Sequence, residues 1–200
     1  LTYSTDLPVS IGCEQTTFGG NSDLFVAAFN SAGSRLWSTY FGGPSQEAYA
    51  LCSVDKYNNI YILGEWEDVN PIGFSASSCA FQQSFAGYED QFIIKYDSAG
   101  ILLCSTYLGG IDEDEMEGSG GIVCHENFIY TCVNTLGGYP ITAGAFQTST
   151  GGQDGLLGIA KICGFNCGDE SLSNINFTYN QPNNCQGIID LTGSFTICYT

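Results

Sequence analysis

Two stretches of this sequence repeat one another: residues 23–43 read DLFVAAFNSAGSRLWSTYFGG, and residues 90–110 read DQFIIKYDSAGILLCSTYLGG. Equivalent residues lie 67 positions apart throughout, so the copies align without a gap. Each copy has an apolar run, a short turn with one glycine, a second β-rich run and a Gly-Gly pair. Two such runs around a Gly-containing turn predict a β-hairpin.

A second hairpin is predicted after the first copy. Tyr49–Val54 and Ile60–Gly64 are strand-like and flank the turn Asp55–Asn59. One repeat therefore holds four short antiparallel strands, and its continuous apolar runs predict strands covered on both faces. Four-stranded units with a period of about 67 residues predict an all-β fold of stacked β-propeller blades. The repeats divide near three glutamines: Gln15, Gln82 and Gln147.

The repeat resembles the bacterial β-propeller repeat often called the SBBP repeat, over roughly residues 1–163. That repeat reads close to D-x-F-V-x-K-F-D-x-x-G-x-L-x-W-S-T-Y-L-G-G, then N-x-Y-V-x-G, then F-P-x-T-x-G-A-F-Q. The matching segments are Phe92–Tyr96, Ser105–Gly110, Asn59–Gly64 and Pro140–Gln147. The departures are Cys104 for the usual Trp, Ala28 for the usual Lys, and Cys132 in the fourth strand. The resemblance implies a secreted bacterial surface protein whose propeller is a scaffold or binding platform.

Residues 1–163 are predicted to hold the end of one blade, two full repeats and one closing strand. Pro8 aligns with Pro140, 132 positions later, which places Leu1–Thr5 at or just past the last strand of an earlier blade. Since a propeller ring takes about four or more blades, further blades of the same protein or strands of other chains are expected to complete it. Unpaired edges at Leu1 and after Ile162 would recruit such strands.

The pattern changes after the repeats. Residues 164–173 are predicted to be a linker rich in polar residues and glycine. Residues 174–200 alternate with period two and resemble the start of a PKD-like or immunoglobulin-like β-sandwich.

The chain has 21 acidic and 4 basic residues, a net charge of −17. Such a balance argues against nucleic-acid and anionic-membrane partners. No apolar run reaches the ~18 residues that predict a membrane span. The expected partners are other copies or further domains of the same surface protein, and glycans.

Ten cysteines, an even number, favour an oxidising compartment. Zinc is disfavoured, because there is no C-x₂-C pair and His125 is the only histidine. Buried free thiols are the alternative, since Cys packs as a small hydrophobic residue. The candidate bridges are Cys163–Cys167, Cys185–Cys198, and Cys104 with Cys124 or Cys132.

Two sets of acidic residues stand out. Asp112, Asp114 and Glu115 are the candidates for a calcium site, because hard cations bind several carboxylates. A solvated loop is the alternative. The recurring residues Asp23, Asp90 and Asp154 are instead predicted to cap turns through bonds to backbone N–H groups.

Catalysis has little support, because the one histidine, His125, lies in a predicted turn and no carboxylate pair is singled out. The expected function is a non-catalytic extracellular or cell-surface structural or adhesive module, including a surface filament subunit. The alternatives are a carbohydrate-binding propeller, with Trp66 and Tyr88 stacking on sugars, and an accessory part of a larger secreted enzyme. The candidate glycosylation sites are Asn176 in an N-x-T sequon and Ser98, in a motif resembling Bacteroidetes O-glycosylation sites.

Overall fold

The computed structural model describes residues 1–67, 74–78, 80–116, 120–125, 128–141, 143–145, 147–149, 154–156, 175–176 and 192–193. All regular elements in this part of the chain are β-strands. They are β1 Leu24–Phe29, β2 Arg35–Phe41, β3 Glu47–Val54, β4 Ile60–Trp66, β5 Asp90–Tyr96, β6 Leu102–Leu108, β7 Gly121–His125, β8 Phe128–Thr135, β9 Asp154–Leu156, β10 Ile175–Asn176 and β11 Thr192–Gly193. Within the same residues there is no helix long and apolar enough to cross a membrane.

Within the described residues, the predicted hairpins and an all-β fold with antiparallel sheets are confirmed. β1 pairs with β2, β3 with β4, β5 with β6, and β7 with β8. The repeated turn glycines have positive φ, 78° at Gly33 and 85° at Gly100, a conformation that favours glycine. Ahead of each glycine, the side-chain oxygen of Asn30 or Asp97 accepts two backbone N–H bonds and closes the turn.

The four strands of the largest sheet come from two successive sequence repeats and not from one. Its strand order is β3-β4-β5-β6, so it joins the second hairpin of one repeat to the first hairpin of the next. β4 and β5 pair in register from Ile60 opposite Tyr96 to Trp66 opposite Asp90. The repeat boundary near Gln82 therefore lies in the connection between two paired strands of one sheet.

The same pairing recurs at the start of the chain. The Thr2 N–H donates to the Asp23 carbonyl at 2.7 Å, and the Asp23 N–H donates to the Thr2 carbonyl at 3.0 Å. This bridge matches the pairing of Trp66 with Asp90 and of Thr135 with Asp154. Thr2 thus pairs with Asp23 in the way that Trp66, the last residue of β4, pairs with Asp90.

Packing occurs on both faces of the four-stranded sheet. One core contains Trp37 and Phe41 from β2 against Phe92 and Ile94 from β5. The other core contains Leu63 and Ile93 from the same sheet against Ile122, Ile129 and Val133 from β7 and β8.

β3 lies directly against β7, where the Cys124 N–H donates to the Ser53 hydroxyl at 2.9 Å. The prediction that strands are covered on both faces is confirmed for β4 and β5.

β10 and β11 form a two-stranded antiparallel pair. The remainder of the predicted linker and sandwich, including Cys163, Cys167, Cys185 and Cys198, lies outside the described residues.

Candidate functional site

The most organised polar groups in the described part of the chain lie where each long loop meets the sheet. The Gln15 amide donates to the Asp23 carboxylate at 2.8 Å and accepts from the Gly42 N–H at 3.0 Å. Gln82, 67 residues later, makes the same bonds with Asp90 at 3.3 Å and with Gly109 at 3.0 Å. An amide suits this position because it donates and accepts at once.

Asp23 and Asp90 hold the ends of these loops. The Asp23 Oδ2 accepts from the Gly19 N–H at 2.9 Å, and the Asp90 Oδ2 accepts from the Ala86 N–H at 2.8 Å. Their predicted role as turn caps through backbone hydrogen bonds is confirmed. For Asp154, at the start of β9, only the backbone is described.

A second carboxyl group joins each aspartate. The Gly43 N–H donates to the Glu47 Oε1 at 2.9 Å, and the Gly110 N–H donates to the Asp114 Oδ2. A Cβ placed on Gly42 would stand 2.6 Å from the Glu47 Oε2 and 2.8 Å from the Asp23 Cγ. The two carboxyl groups therefore meet over a glycine that leaves no room for a side chain.

The second pair is built in the same way. A Cβ on Gly109 would stand 2.3 Å from the Asp90 Oδ1 and 2.9 Å from the Asp114 Oδ2. Asp23, Glu47, Asp90 and Asp114 are all 0% exposed. One oxygen of each has no hydrogen-bond partner: Asp23 Oδ1, Glu47 Oε2, Asp90 Oδ1 and Asp114 Oδ1.

Burial controls the acidity of these groups. It raises the pKa of Glu47 to about 8; the Gly43 N–H opposes this shift and the neighbouring Asp23 adds to it. Burial raises the pKa of Asp114 to about 7; hydrogen bonds from the Thr135 side chain and the Gly110 N–H oppose this shift, and Asp90 and Asp112 add to it. The pKa of Asp90 is raised to about 6 and that of Asp23 is also raised, in both cases by burial. In this environment the neutral acid competes with the carboxylate near neutral pH.

A fifth buried acid, Glu65 on β4, lies apart from the two pairs. Its Oε2 accepts from the Met116 N–H at 2.5 Å, and burial raises its pKa to about 7. This bond ties β4 to the loop that precedes β7.

The three residues predicted to bind calcium are not brought together around one site in the described part of the chain. Asp112 is exposed, whereas Asp114 is buried against Asp90. Among the residues described there is no group of three or more His, Cys, Asp or Glu side chains placed to hold a metal ion. The solvated-loop alternative fits Asp112 but not Asp114, because Asp114 turns inward to fill the position of Glu47 in the preceding repeat.

Of the two residues predicted to stack on sugars, one is buried and the other is exposed. Trp66 is 0% exposed and packs against Phe92 and Phe74, with ring centroids 5.1 and 5.7 Å apart. Its assignment as an exposed ligand contact is wrong, because it ends the central strand β4 between two sheets. Tyr88 is 62% exposed, so its stacking role stays a prediction.

No disulfide joins any two of the five cysteines whose surroundings are described: Cys13, Cys52, Cys104, Cys124 and Cys132. The expected bridge from Cys104 to Cys124 or Cys132 is therefore not made. Cys104 is buried in the core between β6 and the sheet β7-β8-β9, with Cys124 packed against that core. There these residues act as small apolar side chains, the alternative considered for strand cysteines.

Three further candidates are placed but not tested. Ser98 lies exposed in the β5–β6 turn, where its backbone carbonyl accepts from the Trp37 indole at 3.0 Å. Asn176 lies in β10. His125 is exposed at the end of β7 rather than inside a turn.

Sequence reasoning missed Gln15, Gln82 and Glu47 as members of a polar site. The signal was available, because Gln15 to Gln82 and Glu47 to Asp114 are both separated by the 67-residue period. An acid that recurs at that spacing, next to a recurring Gly-Gly pair, marks a position fixed by the fold rather than a solvated loop.

A scan against protein-family models found no match, and a search of curated proteins also found none. The resemblance to the SBBP repeat therefore stays a prediction from the motifs.

Proposed function

We propose that this chain is a non-catalytic structural module of an extracellular or cell-surface protein, built from β-propeller blades that join further hairpins of the same kind. The observation that carries the proposal is the sheet β3-β4-β5-β6, which takes its two hairpins from successive repeats. In such a construction each repeat needs a neighbour to complete its sheet. Four-stranded antiparallel sheets packed face to face are the building principle of a propeller.

The first sheet offers a place for a neighbouring hairpin. β1 pairs with β2, and beyond the Thr2–Asp23 bridge no other described strand lies along its second edge. Beside this edge, β1, β3 and β4 line a mainly apolar groove of about 710 Å³. Phe29, Leu36 and Val54 in its wall are 59, 59 and 52% exposed. Exposed apolar surface next to an open strand edge favours strand addition.

The internal repeat indicates which occupant fits. β5, the counterpart of β1, carries β4 on the corresponding edge, with β3 beyond it. Thr2 already stands where Trp66 ends β4. We therefore assign the groove to a β3–β4-type hairpin of a neighbouring repeat in the same polypeptide, whose second strand runs into Leu1.

A grafted chain tests this assignment. Residues 44–66, which contain the β3–β4 hairpin, are placed directly before Tyr3 in place of Leu1 and Thr2, so that the grafted Trp66 occupies the position of Thr2. The graft should raise Tm and reduce binding of a dye specific for apolar surface, while the protein stays monomeric by light scattering. The matched control carries the same inserted residues in scrambled order.

Equal Tm and dye binding for graft and control would overturn the assignment. If the 200-residue chain instead forms oligomers that the graft dissociates, a second copy supplies the strand. That result would reject the assignment to the same polypeptide and support the filament subunit.

The cell-surface location and bacterial source are proposed on the motif resemblance. Both carboxyl pairs are fully buried, so neither is placed as a hydrolytic carboxylate pair, which must flank its substrate. The absence of a catalytic role is proposed on the sequence, in which no catalytic cluster is singled out. For the carbohydrate-binding alternative only the exposed Tyr88 remains as a stacking candidate, so a Tyr88→Ala variant that keeps full affinity for a bound glycan would dismiss that role.

A further inference from the structure

In each of the two carboxyl pairs, the hydrogen-bond donors leave one oxygen of each acid without a partner. In each pair the outer oxygens accept N–H bonds from the loop glycines, from Ala86 or from the glutamine amide. The remaining oxygen of each carboxyl is buried without a partner. Two adjacent ionised carboxylates with unsatisfied oxygens are strongly unfavourable away from water.

A single proton resolves this deficit. If one carboxyl of a pair is protonated, its O–H can donate to the other carboxylate, and an oxygen that otherwise has no partner is then used in a hydrogen bond. Such charge-assisted O–H···O⁻ bonds are short and strong. No other donor is needed, because the outer oxygens are already satisfied by N–H groups.

We propose that each of the two repeats contains a proton-binding site, in which Asp23 and Glu47, and likewise Asp90 and Asp114, share one buried proton that fastens the long loop to the sheet. When the proton is lost, the two carboxylates repel one another and the attachment of the loop to the sheet weakens. Its recurrence at the 67-residue period shows that it belongs to the repeat and not to one local accident of packing.

A metal ion fits the geometry less well. Calcium takes about six to eight oxygen ligands, and no third acidic, His or Cys ligand joins either pair within the described residues. The N–H groups that point at the outer oxygens would also repel a cation. A proton needs only the two carboxyl groups present.

The pH test has to separate the pairs from Glu65, whose pKa burial also raises to about 7, so Glu65→Gln is introduced into every protein compared. Among the described residues, Asp23 is the acid that raises the pKa of Glu47. Asp90 and Asp112 act on Asp114. Tyr107 and Tyr139 lie near the second pair, and because their pKa values are raised, chiefly by burial, both phenols stay neutral over the range tested.

The sign of the pH dependence follows from these shifts. Groups whose folded pKa is raised bind protons more tightly in the folded state, so their stability contribution is complete below the unfolded pKa and is lost as pH rises. The unfolded reference values are 3.8 for Asp114 and 4.5 for Glu47, and the folded values are about 7 and about 8. Stability should therefore fall between about pH 5 and about pH 8.

The experiment compares Tm from about pH 5 to about pH 9 in the wild type and in the double variant Glu47→Gln and Asp114→Asn, both in the Glu65→Gln background. Each amide carries N–H donors that replace the shared proton at every pH. The wild type should lose Tm as pH rises, and the variant should retain most of it. The control Asp112→Asn, at the exposed acid of the same loop, should show the wild-type fall.

Infrared spectroscopy provides a direct readout of the proton. Near pH 6.5, well above the ordinary carboxyl pKa of about 4, the wild type should show the C=O stretch of a protonated carboxylic acid, and each single variant should lose part of it. Because burial also raises the pKa of Glu65 to about 7, the band is measured in a Glu65→Gln protein as well, and the part that remains there belongs to the pairs. That comparison stays decisive if the double variant does not fold. A wild-type Tm that is flat or rises with pH, or a missing acid band, would overturn the proposal. Calcium at ~5 mM that raises Tm at high pH in the wild type alone would assign the site to a cation instead.

Discussion

The hairpins β1–β2 and β5–β6 carry the same motif but lie in different surroundings. All seven residues of β5 are buried, whereas β1 alternates between buried and half-buried residues and ends with the exposed Phe29. β5 has a strand on each edge and a packed sheet on each face, while β1 is paired along one edge. The same sequence motif can therefore form a core strand or an edge strand, depending on the strands and sheets around it.

The largest expected difference is at the aromatic residue of each motif. Phe92 is 0% exposed, with the rings of Trp66 and Phe41 at 5.1 and 5.5 Å, whereas its counterpart Phe25 is half-buried against Tyr40 at 5.5 Å. Phe92→Ala should cost about 3–5 kcal/mol of unfolding free energy. Phe25→Ala should cost about half as much, because part of its surface is already in water. Denaturant unfolding of both variants measures the difference, and equal costs would show that the two strands are buried alike in solution.

An intermediate difference is expected at the turn glycines. Gly33 and Gly100 share a positive φ, so an alanine at either should cost about 1–2 kcal/mol in backbone strain. A Cβ on Gly33 meets no atom within 4 Å, but one on Gly100 would stand 2.5 Å from the Trp37 ring. Gly100→Ala should therefore cost about 1–3 kcal/mol more than Gly33→Ala.

Comparing Gly100→Ala with Gly33→Ala tests whether the sheet β1-β2 packs on the sheet β3-β4-β5-β6. Trp37 fluorescence should change in Gly100→Ala and stay unchanged in Gly33→Ala. Identical stabilities and spectra would mean that the Trp37 ring does not rest on the β5–β6 turn.

The smallest difference is expected at the residues that cap these turns. Asn30 and Asp97 each accept two backbone N–H bonds at 2.9–3.0 Å. Replacement by alanine should cost about 0.5–1.5 kcal/mol at Asn30 and slightly more at Asp97, because bonds to a charged acceptor are stronger. Thermal unfolding at low and high salt separates the two, since only the Asp97 contribution should weaken with salt. A larger loss at Asn30 would contradict this ranking.

Part of the polar site could be read from the sequence. Asp23 and Asp90 recur before a strand, and their capping role follows from the short side chain and the loop that precedes it. Glu47 was not recognised, because an acid in a polar loop is ordinarily solvated. Its burial depends on Gly42 and Asp23, which the chain brings together only after β1 and β2 have paired.

The sequence by itself determined the hairpins, their turns and the double-faced burial of β4 and β5. These depend on residue order over a few positions: continuous apolar runs, positive-φ glycines and Asx caps. The tertiary structure alone decided that β4 pairs with β5 across the repeat boundary, that Trp66 is buried and that Asp114 faces Asp90. These outcomes depend on which strand edge a distant segment meets. A local pattern specifies that a strand has two edges and two faces, but the neighbours that cover them come from other repeats.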